Sequence, residues 1–159
     1  MVTISAVLLG SLWSGLIAAA LVVSFTAPRR YLVAAFVCGW VGRCVRDGGI
    51  AWGVSHNWST VIAAAVVVVV AVAIIHRHQV SPVVLICAVI PLSGSVAVFN
   101  LIFALIRLST AAGDARSEYS LAFTANLAAA FTTFMAIALG LGAGLAIVRF
   151  FRRENVVDV

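Results

Sequence analysis

The sequence predicts an all-α, polytopic integral membrane protein of about five transmembrane helices, the fourth broken at a Pro/Gly motif. Three observations carry this expectation. The 159 residues are 64% hydrophobic and only 9% charged, with a mean hydropathy of +1.20, so too few polar side chains exist to cover a water-soluble fold. Long apolar runs recur along the chain, separated by short turns that carry arginine, histidine or serine. One of these runs is interrupted by Ile90-Pro91-Leu92-Ser93-Gly94-Ser95. Proline has no N–H and clashes with the carbonyl four residues back, and glycine and serine do little to hold a helix there. The expected organisation is a single transmembrane domain over 1–159, with approximate spans 4–25, 31–53, 59–75, 82–108 and 119–150 and a short tail 151–159.

The first span, from Ile4 to Phe25, is apolar and long enough to cross a hydrocarbon core of about 30 Å. No positive segment precedes it and Arg29-Arg30 follow, which favours a retained helix over a cleaved signal peptide. Small residues four apart, Gly10 with Ser14 and Ser11 with Gly15, permit close helix contact.

The second span differs in kind, because it carries Arg43, Arg46 and Asp47 well inside its length. Arg43 and Asp47 are four apart and so lie on one helix face, with Arg46 beside them. A charge at membrane depth costs roughly 2.5 to 3.5 kcal/mol on insertion scales, so it faces a cavity or a partner. Two readings stand equally. Either the arginines attract an anion beside a titratable Asp47, or an Arg43–Asp47 pair pins a shorter helix end and Gly48-Gly49 begin a loop.

The third span is dominated by Val and Ala and lacks polar features in its middle. His56, His76 and His78 are placed in turns and read as interfacial, since a metal site would need further donors. The fourth span would run about 40 Å as one straight helix, more than one bilayer core and less than two, so tilt or two half-helices must absorb the excess. Breaks in lipid persist only inside protein or beside a watery cavity, and transporters often bind substrate at them; a plain proline kink is the alternative. Pro91, Ser93, Gly94, Ser95 and Asn100 are therefore candidate substrate-binding positions, together with Arg43 and Arg46; Asp47 is the proton-coupling candidate. A polar loop over 109–117 leads to the last span, whose Gly140 and Gly144 make a GxxxG face suited to tight packing. Its Thr124, Asn126, Thr132 and Thr133 read as packing groups more than as ligands.

With five spans, Arg29, Arg30, Arg77, Arg149, Arg152 and Arg153 collect on one side, and Arg107 and Arg116 on the other. The positive-inside rule then puts the N-terminus outside and the C-terminus in the cytoplasm, with Trp52, Trp58 and Tyr119 at the outer interface and Tyr31 at the inner one. The net charge of +5 follows this topology pattern and not a phosphate-binding face, so nucleic acid is excluded as a partner. Cys38, Cys44 and Cys87 lie in apolar segments without ligand spacing and read as buried thiols, with no metal expected. Lysine is absent, which excludes a P-loop lysine and a pyridoxal Schiff base, and no cofactor is expected. There is no HExxH and no G-x-S-x-G, so an enzyme ranks last.

The order Pro28 with Arg30, Gly39-x-x-Gly42, Arg46, Gly53, Trp58-Ser59-Thr60, Pro82, Ile90-Pro91, Gly94, Asn126 and Gly140 resembles the threonine/serine exporter family over nearly the whole chain. More closely, it is similar to the small membrane subunit of the split, two-polypeptide form. It departs at Ser93-Gly94, where a Pro-Gly pair commonly follows the Ile-Pro, and at Arg43, near which a histidine is usual. The resemblance implies a cytoplasmic-membrane exporter of small hydrophilic metabolites: threonine and serine, or dicarboxylates such as succinate. It also implies a complementary membrane subunit as partner; Gly39, Gly42, Gly140 and Gly144 are the expected helix-packing positions, and the Gly140/Gly144 face also suits another subunit, so a homo-oligomer stays open. An odd number of spans suits half of an inverted-repeat transporter. The rival expectation is a non-transporting subunit that only stabilises another membrane complex.

Overall fold

The computed structural model describes residues 4–75, 82–92, 95–110 and 115–157. All regular structure among them is helical: α1 (Ile4–Ser24), α2 (Tyr31–Ala51), α3 (His56–Ile74), α4 (Pro82–Val89), a 3₁₀ turn (Ile90–Leu92), α5 (Ser95–Thr110) and α6 (Ala115–Val157). The break expected at Pro91 is present: α4 stops after eight residues and the chain tightens into the 3₁₀ turn that contains the proline. The described parts of α1, α3 and α6 over Val7–Ser24, His56–Ile74 and Arg116–Phe151 are long and apolar enough to cross a membrane. Helix α2 is as long as α1 but carries the three charges. The chain is thus an all-helical, polytopic membrane protein.

Two expectations change in detail. Gly48-Gly49 do not begin a loop, because α2 continues to Ala51 and the turn is made by Trp52 and Gly53, the latter at φ +83°, where the lack of a Cβ removes the steric penalty. Helix continuity through Gly49 brings its Cα against Ser59: a Cβ there would lie 2.8 Å from the Ser59 hydroxyl. His56 is not a turn residue; it opens α3, with Ser55 in the extended conformation before it. His76 and His78 lie outside the described residues.

The chain divides into two compact units, residues 1–92 with 136–159, and residues 93–135. In the first unit α2 is the central helix. Small residues let its neighbours approach: a Cβ on Gly39 would stand 2.7 Å from the Ala18 Cβ of α1, and one on Gly42 would stand 2.6 Å from the Val67 Cγ2 of α3. One apolar cluster joins Val22, Ala34, Ala35, Val84 and Cys87 from α1, α2 and α4. A second joins Cys38, Ala63, Val67, Ala71, Ala88, Val89 and Leu92 with Ile137 of α6. Helix α6 meets α3 through its glycines: a Cβ on Gly140 would overlap the Val61 carbonyl oxygen, and one on Gly144 would lie 2.8 Å from the Val68 Cβ. Cys38 and Cys87 are buried thiols and Cys44 is half-buried.

The second unit holds α5 and the start of α6. Phe99 and Phe103 stack one turn apart on α5, and the Arg107 guanidinium lies 4.8 Å from the Phe103 ring centre and 5.8 Å from that of Tyr119 on α6. On α6, Thr124, Asn126, Thr132 and Thr133 donate to carbonyls three or four residues earlier in their own helix, so these polar groups are satisfied locally.

Candidate functional site

Helix ends leave carbonyls without N–H partners, and a helix end inside an apolar bundle must find donors elsewhere. The 3₁₀ turn after α4 finds them on α2. Arg46 Nη1 donates to the Leu92 carbonyl at 3.0 Å, and Arg43 Nη1 approaches the Pro91 carbonyl at a longer 3.5 Å. The two costs offset each other: guanidinium groups that lipid would penalise meet carbonyls that the proline break has freed. Leu92 is held in register for this by its own side chain, fully buried beside Cys38 and Val67.

The two arginines are not equivalent. Arg43 is half-exposed and donates through Nε to Asp47 Oδ2 at 2.7 Å, so its charge has a counter-ion one turn along α2. Arg46 is only 6% exposed and makes no such pair among the described residues. Its Nη2 instead lies 2.7 Å from His56 Nε2, and its buried Nε has no hydrogen-bond partner among the described residues. Guanidinium has only donors, so His56 Nε2 must be the unprotonated, accepting ring nitrogen and Nδ1 carries the hydrogen. Two guanidinium groups against one carboxylate leave the cluster cationic. Arg46 lies five residues before the end of α2, about 8 Å along the axis, so the cluster sits near the end of the first unit that carries the α2–α3 turn.

Of the residues expected to act together, the structure joins Arg43, Arg46, Asp47 and the backbone at Pro91. Ser93 and Gly94 lie outside the described residues, Ser95 opens α5, and Asn100 is exposed on α5 in the second unit. His56 is the member that sequence reasoning missed. The available signal was weak: a histidine at the start of the helix that follows the arginine-bearing one.

Charged groups held against irregular backbone within apolar helices are the mark of membrane proteins that handle polar solutes. Residues 10–151 match the family model described as Threonine/Serine exporter, ThrE, and the chain belongs to that family: it is a transporter of the exporter type, resident in a membrane. No curated protein and no solved structure gave a match.

Proposed function

We propose that the chain is the small membrane subunit of a two-polypeptide secondary exporter, acting with a complementary membrane subunit in the cytoplasmic membrane. Its cargo class is small hydrophilic metabolites that carry a carboxylate: threonine and serine, or dicarboxylates such as succinate. The observation that supports this best is the buried Arg46, whose guanidinium touches the broken helix through one nitrogen and keeps a second donor, Nε, unspent. A buried donor without a partner is costly unless some state of the protein uses it, and a carboxylate is the natural complement of a guanidinium edge. Arg43 adds field, and Asp47, already paired to it, is a carboxylate through which protons can couple to transport.

In this reading the N-terminus is outside and the C-terminus cytoplasmic, as the arginine distribution favours, so the α2–α3 turn and the cluster beside it face outward. Alternating access around the α4 break would then expose the cluster to each side in turn. The test compares export from cells fed threonine- or serine-containing dipeptides. Strains carry this chain alone, the complementary subunit alone, or both, and succinate efflux is followed in parallel. Efflux that requires both subunits supports the reading; efflux unchanged in every strain refutes it and leaves a stabilising subunit as the alternative.

A further inference from the structure

Nε and Nη2 form one edge of a guanidinium, and their two N–H bonds point the same way, which is the geometry that grips a carboxylate with two parallel hydrogen bonds. On Arg46 this edge is half used. Nη2 donates to His56 Nε2 at 2.7 Å, while Nε, on the same edge, is buried and without a partner among the described residues. The other nitrogen, Nη1, is committed to the Leu92 carbonyl at 3.0 Å, which holds the group in place and sets the direction of the free edge. A neutral imidazole offers one lone pair and satisfies one of the two donors. A carboxylate offers an acceptor to each.

We infer that His56 is a displaceable stand-in for the substrate carboxylate on the Nε/Nη2 edge of Arg46, and that a proton on His56 removes it. Protonation places a hydrogen on Nε2, so the Arg46 Nη2–H···Nε2 bond is lost and two cations face each other across it. The imidazolium swings off the edge, and the substrate carboxylate takes both donors. His56 is exposed at the first position of α3, so the proton comes from water at the α2–α3 turn and the freed side chain has room to leave. Among the described residues the charged groups that face His56 are Arg46, Arg43 and Asp47, all from α2; the 3₁₀ turn contributes backbone carbonyls. His56 is a positioning residue: it acts on substrate through Arg46.

This inference rests on the proposed carboxylate site at Arg46, and the experiment separates the two. The full chain, reconstituted with its complementary subunit in lipid nanodiscs, is titrated with threonine and with fumarate. Both keep a constant charge between about pH 5.5 and 7.5, the range in which histidine titrates. In wild type, one proton taken up with each carboxylate makes Kd fall by up to about tenfold for each unit of pH decrease above the imidazole pKa. His56→Gln keeps an acceptor that cannot be protonated, so binding stays weak and flat with pH. His56→Ala clears the edge, so binding is tight and flat. Arg46→Gln binds neither solute at any pH. A wild-type slope that survives in His56→Gln overturns the inference, as does a slope lost in Asp47→Asn and retained in His56→Gln; binding lost only in Arg46→Gln would still uphold the carboxylate site. Wild-type binding that persists in Arg46→Gln, or no wild-type binding of either solute, overturns both.

Discussion

Replacing Arg46 by methionine separates the role of its charge from the role of its bulk. Methionine keeps most of the aliphatic stem that packs inside the first unit, and removes the guanidinium. Two opposed terms follow. Removing a cation from membrane depth recovers about 2.5 to 3.5 kcal/mol on insertion scales, whereas the Leu92 carbonyl left without its donor costs about 1 to 3 kcal/mol, so the net change lies between about 0.5 kcal/mol destabilising and about 2.5 kcal/mol stabilising. The fold should therefore persist. Transport has no such compensation: loss of a charge-assisted contact to a carboxylate, about 1.5 to 3 kcal/mol, lowers export roughly tenfold to a hundredfold. The assay is threonine export from cells that carry both subunits, normalised to the amount of chain in the membrane, with the melting midpoint of the purified protein measured in detergent. Export at the wild-type rate would refute the anion role of Arg46. A chain that no longer accumulates in the membrane would refute the cancellation and make Arg46 chiefly a cap for the α4 break.

Three further substitutions probe the scaffold that presents the site. Pro91→Ala removes a residue that costs about 3 kcal/mol in a helix interior, so α4 should lengthen and the melting midpoint rise while export falls; unchanged export would reduce the break to a plain kink. Gly42→Ala places a Cβ 2.6 Å from Val67 Cγ2 and 3.2 Å from Leu92 Cδ1, an overpacking worth about 1 to 3 kcal/mol that also displaces the residue holding Arg46; stability and export should fall together. Gly140→Ala sets its Cβ against the Val61 backbone oxygen, which cannot rotate away as a side chain can, so its melting midpoint should drop further than that of Gly42→Ala. Equal midpoints for the two variants would show that α6 shifts on α3 at little cost.

Much of the architecture was legible because lipid leaves few choices. Apolar runs without water must form helices, and Pro91 must interrupt one, so the helix set and the break follow from local rules. The pairing of Arg43 with Asp47 was legible for the same reason, since residues four apart share a helix face. The continuation of α2 through Gly48-Gly49 was not, because two adjacent glycines disfavour a helix locally and only the close approach of Ser59 shows why Gly49 stands there; Gly48 has no such neighbour.

The sequence by itself determined that this is an all-helical membrane protein of the threonine/serine exporter family, with a helix break at Pro91 and charges set inside an apolar run, because hydropathy, proline and arginine act through neighbours along the chain. The tertiary structure alone decided which arginine is buried, which carbonyls the arginines meet and that His56 sits on Arg46. Those outcomes depend on how α2, α3 and the turn after α4 pack side by side. Leu92 lies 46 residues from Arg46 along the chain, and no periodicity within one helix specifies such a pairing.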